Sequence, residues 1–122
     1  MKESEEALKH VKEYLNNKKA ITVLRVEVHG QRRGDEKGLQ ILTEKRALAV
    51  ANWLVENGID CKRILPAGFG STKPLVDPTS GPEAAQNNRV EFHNAALLGR
   101  AIGGMPLDGG GKVIEGFCKS EN

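Results

Sequence analysis

Aromatic side chains are scarce in this chain. Tyr14, Trp53, Phe69, Phe92 and Phe117 are the five aromatics among 122 residues, so any core must be built mainly from aliphatic side chains. Long apolar runs are missing as well. No stretch reaches the roughly 18 apolar residues that a membrane-spanning helix needs. The opening KESEEALKHVKEYLNNKK is charged throughout and has no apolar segment, which excludes a secretory signal there. An export signal, if the natural protein is exported, is expected outside this sequence. Charge of one sign is also lacking: 18 Lys and Arg against 16 Asp and Glu give a net +2, with both signs interleaved. A nucleic-acid binder would gather its basic residues on one face. There are two cysteines, Cys61 and Cys118, outside any CxxC spacing, which argues against zinc. A disulfide and two free thiols are both open, with free thiols the plainer expectation.

What remains fits one compact domain of 122 residues. Residues 4–17 read as a helix with Ser4 as N-cap and Leu8, Val11 and Leu15 as its apolar stripe. Residues 21–29 alternate as a strand, with Leu24, Val26 and Val28 on one face and Arg25, Glu27 and His29 on the other. A loop over 30–42, rich in glycine, leads to a helix over 43–57 with Thr43 as N-cap and Ala47, Val50, Ala51 and Leu54 inward. A short strand over 63–69 carries Pro66, which places it at a sheet edge. After a proline-containing loop over 70–87 comes a strand over 88–94, with Val90 and Phe92 inward. A short helix over 95–102, a Gly-rich linker over 103–111 and a strand over 112–117 complete the reading. Two helices on one face of a small mixed sheet make an α+β sandwich.

Arg25-Val26-Glu27-Val28-His29 and Arg89-Val90-Glu91-Phe92-His93 repeat one pattern. This predicts a water-facing side laced by cross-strand ion pairs. A metal site from His29 and His93 would require both rings at the same end of the sheet. Arg46 is the other candidate. With Thr43 as N-cap it falls in the first turn, where a cation opposes the helix dipole and the free N–H groups suit a carboxylate ligand. The competing expectation is a pair with Asp35, Glu36 or Glu44. Gly111-Lys112 lacks the residues of a phosphate loop, Gly68-x-Gly70 lacks the third glycine of a dinucleotide loop, and no nucleophile–base grouping has a supporting context. Neither an enzyme nor a cofactor is expected.

Several ordered motifs at consistent spacing resemble the OmpA-like domain family. They are His29-Gly30-Gln31, Gly34, Leu42-Thr43-Glu44-Lys45-Arg46-Ala47, Gly58-Ile59-Asp60, Gly68-Phe69-Gly70 with Pro74, and Gln86-Asn87-Asn88-Arg89-Val90-Glu91. The resemblance covers roughly residues 5–94. It implies an OmpA-like two-layer sandwich over 1–95, lacking the usual first strand, with a C-terminal extension over 96–122. The apolar segment at 112–117 is expected to take that place in the same chain or in a swapped homodimer, the alternative being a disordered tail. It implies a non-catalytic module at the periplasmic face of the outer membrane, or elsewhere in the cell envelope, holding peptidoglycan through the diaminopimelate of the stem peptide. The ligand-binding positions would be Arg46 and Gln31, with Thr43, Gly30, Asn87 and Arg89 around them. In the family an Asp stands at the place of Gln31, a Thr at Gly30, an Asn at Leu39 and an Arg at Asn88. Half of the clamp is therefore altered. The alternative is a degenerate copy of the fold that serves as a protein-interaction or scaffold module for envelope proteins.

Overall fold

The computed structural model describes residues 2–32, 34–77, 81–101, 111–114 and 117–118. Helix α1 (Lys2–Asn17) leads into strand β1 (Ile21–His29), helix α2 (Glu36–Glu56), β2 (Ile64–Gly68), β3 (Arg89–Leu97), β4 (Arg100–Ala101) and β5 (Lys112–Val113). The sheet order is β4-β3-β1-β2-β5. β1 and β2 run parallel, joined through α2, while β1 and β3 are antiparallel. This is the expected α+β architecture, a mixed sheet with helices on one face.

The aliphatic core forms between that face and the helices. Leu15 of α1, Leu24 and Val26 of β1, Ala51 and Leu54 of α2, and Ile64 of β2 are buried together, with Ile21 and Ile59. The close approach of α2 to β2 rests on Gly68. A Cβ there would sit 2.5 Å from the backbone nitrogen of Glu44, so the helix seats only against a bare backbone.

Several expectations are corrected. α1 begins at Lys2, so Ser4 lies inside its first turn and is not its cap. α2 begins at Glu36, not Thr43, because Asp35 caps it by accepting from the Gly38 N–H at 3.0 Å. Most of the expected 30–42 loop is therefore helix. β2 is internal, since β5 pairs with it antiparallel, Ala67 opposite Val113. Pro66 is tolerated because its C=O points toward β5, accepting from Ile114 N–H at 3.1 Å. Its nitrogen faces the same way, so the ladder to β1 loses nothing. The expected helix over 95–102 is absent: β3 runs to Leu97, and Leu98-Gly99, both with positive φ, turn the chain back into β4. That geometry suits a tight hairpin turn, and hairpin pairing overrides the helical propensity of Ala-Ala-Leu-Leu.

The cysteines form a disulfide, Cys61–Cys118, correcting the expectation of free thiols. It pins the segment after β5 to the turn before β2, where Phe117 packs against the core. Residues 103–110 of the expected linker, and Arg33, Pro78, Glu115 and Gly116, lie outside the described residues.

Two outcomes follow from this packing. Gly68→Ala should lower the unfolding free energy in urea by about 1–3 kcal/mol, because a methyl group meets helix backbone. Reducing the disulfide should lower it by about 2–4 kcal/mol, measured by thermal melts with and without dithiothreitol.

Candidate functional site

The helix-free face of the sheet was expected to meet water, yet its centre is buried. Arg25, Glu27 and His29 are 5%, 2% and 1% exposed. Phe69, itself buried, stacks on the His29 ring with centroids 4.7 Å apart, Gly111 packs on Phe69, and Lys73 Nζ lies 5.2 Å from the Phe69 centroid. The repeated pattern explains how so much charge is accommodated. Glu27 and Glu91 are cross-strand partners. Arg25 holds Oε2 of Glu27, and His29 Nε2 meets its Oε1 at 2.9 Å. Arg89 holds Oε2 of Glu91, and His93 Nε2 meets its Oε1 at 2.7 Å while lying 3.7 Å from Glu27 Oε1. A buried charge is tolerated when paired and hydrogen-bonded on both sides.

The two histidines lie at opposite ends of the repeat, His29 opposite Arg89 and His93 opposite Arg25, but both rings converge on the glutamate pair. Glu27, His29 and Glu91 bring possible ligand atoms within 4.8 Å of one another. Both carboxylates are already held by arginines, and a dication would face two guanidiniums, so the arrangement acts as an ion-pair lock between β1 and β3. Among the described residues His29 Nδ1 has no hydrogen-bond partner. The ring therefore carries its proton on Nε2, donated to Glu27, and leaves Nδ1 as a bare acceptor.

Of the residues singled out for ligand binding, four are committed to the scaffold. Thr43 is buried inside α2; its hydroxyl donates to Gln40 O at 2.9 Å and accepts from Gly70 N–H at 3.0 Å. Asn87 is buried, and its Oδ1 accepts from the Leu75 and Val76 N–H groups. Arg89 donates to the backbone oxygens of Asn87 and Lys73 besides holding Glu91. Gly30 donates to Gly70 O at 2.8 Å and lies against Leu39, whose Cδ1 would be 2.6 Å from any Cβ at that position. Gln31 is half-buried and paired with Asn88: its N–H donates to Asn88 Oδ1 at 2.8 Å, and Asn88 Nδ2 donates to Gln31 Oε1 at 3.3 Å.

Arg46 differs from these. It is the eleventh residue of α2, counting from Glu36, so the expected first-turn position is corrected along with the helix start. The free N–H groups of the helix start lie more than two turns away, and the guanidinium alone offers a carboxylate its charge. The carboxylates expected to pair with it are engaged elsewhere: Asp35 caps the helix, Glu36 accepts from Ser71, and Glu44 accepts from Gln40. Among the described residues Arg46 forms no ion pair. Its side chain is exposed at a groove of about 420 Å³ between α1, α2 and β3, walled by Leu8, Trp53, Val90 and Phe92. Val90 and Phe92 are on the helix side of β3 as expected, but Val90 remains 42% exposed at this groove. Gln31 is not among the lining residues. Its partner Asn88 stands two residues before Val90, so both positions belong to the same end of the domain. Sequence reading missed Glu5, which lines the same groove from the first turns of α1.

Residues 1–89 match the OmpA family, about three quarters of the chain, and the chain belongs to that family. It is 37% identical over 51 residues to the probable lipoprotein YiaD of Escherichia coli K12, covering 42% of this chain and 23% of that protein. It is 36% identical over 70 residues to the outer-membrane lipoprotein YfiB of Pseudomonas aeruginosa, covering 57% of this chain and 42% of that protein. A match of 33% over 66 residues to a photosystem I P700 chlorophyll a apoprotein A2 of Gloeobacter violaceus covers 50% of this chain but only 8% of that protein. The chain thus spans less than half the length of these curated relatives. Among the described residues no helix is long and apolar enough to cross a membrane.

The buried network makes stability depend on pH. Burial holds the His29 imidazole below its ordinary 6.5, against the pull of its Glu27 hydrogen bond. The unfolded chain therefore takes up that proton first, and stability is lost as pH falls below 6.5. For Glu91 burial pushes upward, but the hydrogen bonds from His93 and Arg89 outweigh it and hold the carboxyl at about 2. Its contribution is present above 4.5 and is lost as pH falls from 4.5 toward 2. The melting temperature should hold above 6.5 and fall in both acid windows, and His29→Gln should remove the decline that begins below 6.5. A melting temperature unchanged down to pH 5 in the unaltered protein would contradict this.

Proposed function

We propose that this domain is a non-catalytic module of the cell envelope that holds peptidoglycan non-covalently, with Arg46 as the anchor for a carboxylate of the diaminopimelate in the stem peptide. The observation that carries the reading is the state of Arg46: an exposed guanidinium at an apolar groove, with its three candidate internal partners committed elsewhere. A guanidinium fork of this kind suits bidentate carboxylate recognition. Family membership supports the function class, and the two lipoprotein relatives support a place at the outer membrane. The disulfide supports an oxidising compartment such as the periplasm. Thr43, Gly30, Asn87 and Arg89 then serve the site by fixing the loops beside it.

A second reading, a protein-interaction module without a glycan ligand, is favoured by one observation. The departures from the family pattern are not scattered: Leu39 fills the space over Gly30, and Gln31 pairs with Asn88. Both contacts fill the end of β1 with uncharged side chains.

Co-sedimentation with purified peptidoglycan sacculi separates the two. The unaltered domain should pellet with sacculi, and Arg46→Ala should weaken binding roughly tenfold, the loss of one charge-assisted contact. Because Arg46 is exposed, the substitution should change stability by less than about 0.5 kcal/mol. Equal pelleting of both proteins would count against Arg46, and no pelleting of either would favour the interaction module.

A further inference from the structure

The hairpin between β3 and β4 ends in two leucines that the fold leaves in water. Leu97 is 42% exposed and Leu98 75%, the latter the most exposed large apolar side chain among the described residues. The turn itself does not ask for a leucine. Leu98 and Gly99 have φ of 50° and 82°, and among the described residues Leu98 is the one non-glycine residue with positive φ. A turn of this hand favours Asn or Asp before the glycine, because their short polar side chains tolerate the conformation and meet water. Leu98 accepts the backbone cost without burying its side chain. The tip is nevertheless fixed in place: the Leu98 N–H donates to Ala20 O at 2.7 Å, and the Gly99 N–H donates to Thr22 Oγ1 at 2.9 Å. These bonds seat the leucines beside the turn from α1 to β1, where Lys18 and Lys19 are exposed, and the exposed Arg100 is the cross-strand partner of Leu97. Among the described residues no ion pair engages Lys18, Lys19 or Arg100. The polar hollow that Lys19 and Thr22 line also holds Asp60 and Arg63, whose charges offset each other, so the tip keeps its excess of cations.

We propose that this tip docks on the surface of a bilayer that contains anionic lipid. Leu97 and Leu98 enter the boundary between headgroups and acyl chains, and Lys18, Lys19 and Arg100 lie among the lipid phosphates. Apolar side chains ringed by lysine and arginine are the combination that such a surface attracts. A protein partner would need a far larger contact than two side chains at a convex tip provide, whereas a bilayer yields around a convex tip. The contact reaches the interface and crosses nothing. Two leucines bury fewer methylenes than one acyl chain, so the contact orients the domain and does not anchor it. The orientation follows from the strand pairing. Leu97 stands opposite Ile21 at the start of β1, and Val90 stands opposite Val28 near its end. The tip and the Val90 end of the Arg46 groove therefore lie at opposite ends of β3, and a docked domain turns that end away from the membrane. None of this rests on what the groove holds.

The test is an NMR titration of the isotope-labelled protein with unilamellar vesicles of equimolar phosphatidylcholine and phosphatidylglycerol, set against vesicles of phosphatidylcholine alone, with vesicle co-sedimentation at low salt for the affinities. The amide signals of Leu97, Leu98, Gly99 and Lys19 should broaden first with the anionic vesicles, and phosphatidylcholine alone should bind several-fold more weakly. Leu98→Asn should weaken binding roughly tenfold. Its melting temperature should be unchanged or higher, because Asn accepts the positive φ of the turn. The double change Lys18→Gln with Lys19→Gln should weaken binding to the anionic vesicles by roughly tenfold or more and leave phosphatidylcholine unaffected. Binding to sacculi should be the same in Leu98→Asn as in the unaltered protein, so the two readings fail separately. If Leu98→Asn binds vesicles as tightly as the unaltered protein while the lysine changes abolish binding, the contact is general electrostatic adhesion and the proposal fails. Broadening at 97–100 that grows with protein concentration in the absence of vesicles would assign the tip to a second copy of the chain and overturn it as well. No broadening at the tip with either vesicle would overturn it outright.

Discussion

Glu27 and Glu91 face each other across β1 and β3, each gripped by an arginine on one oxygen and a histidine on the other. This lock fixes which residue of β3 stands against which residue of β1. A slip of one residue would turn Arg89, Glu91 and His93 into the aliphatic core and Val90 and Phe92 away from it. Everything at the functional end depends on the register so fixed. It places Val90 opposite Val28, on the side where the helices lie, and brings Asn88 against Gln31. Gly68 then lets α2 settle directly on β2, which carries Arg46 to the wall of the groove.

Commitment of neighbouring groups is what leaves Arg46 available. The acidic residues nearest to it in sequence serve a cap, a loop tether and an intrahelical hydrogen bond. Asn87, Thr43 and Gly70 tie the loop after β2 to the start of β3 and to α2. The result is a loop after β2 that is fixed at both ends, with its polar groups spent on the scaffold. The four departures from the family pattern form two contacting pairs, Gly30 with Leu39 and Gln31 with Asn88. Each pair is in direct contact, the Leu39 side chain over Gly30 and two hydrogen bonds between Gln31 and Asn88.

Much of this architecture was legible in the sequence. The alternation Leu24, Val26, Val28 named the core face of β1, and the spacing of Leu8 and Leu15 named that of α1, because burial imposes period 2 on strands and 3.6 on helices. The start of α2 was misjudged because Thr43 imitates a cap and Gly34 and Gly38 imitate a loop, although Asp35 followed by Glu36 carried the true signal. The hairpin at Leu98-Gly99 was hidden under helix-favouring Ala and Leu, where the strand partner decides and local propensity does not. The burial of Arg25, Glu27 and His29 could not be read from alternation, which separates the two faces but does not say what covers them. Arg46 stood out as a cation in a supposed first turn, from a helix start that the structure corrects, and the family motif reinforced it, whereas Glu5 looked like an ordinary acidic residue at a helix start. Its place beside Arg46 depends on how α1 and α2 meet over β3, a tertiary fact with no local signature.

The central claim is that the groove between α1, α2 and β3 is where this OmpA-family domain meets the peptidoglycan stem peptide. The most direct measurement is an NMR titration of the isotope-labelled protein with a diaminopimelate-containing tripeptide, following backbone amides and the arginine side-chain resonances. The account predicts saturable shifts centred on Arg46 Nε–H and on the amides of Glu5, Val50, Trp53 and Val90, all of which line the groove. Shifts confined to the loop over 70–77 or to the β5 edge, with the Arg46 resonance unmoved at saturation, would contradict it.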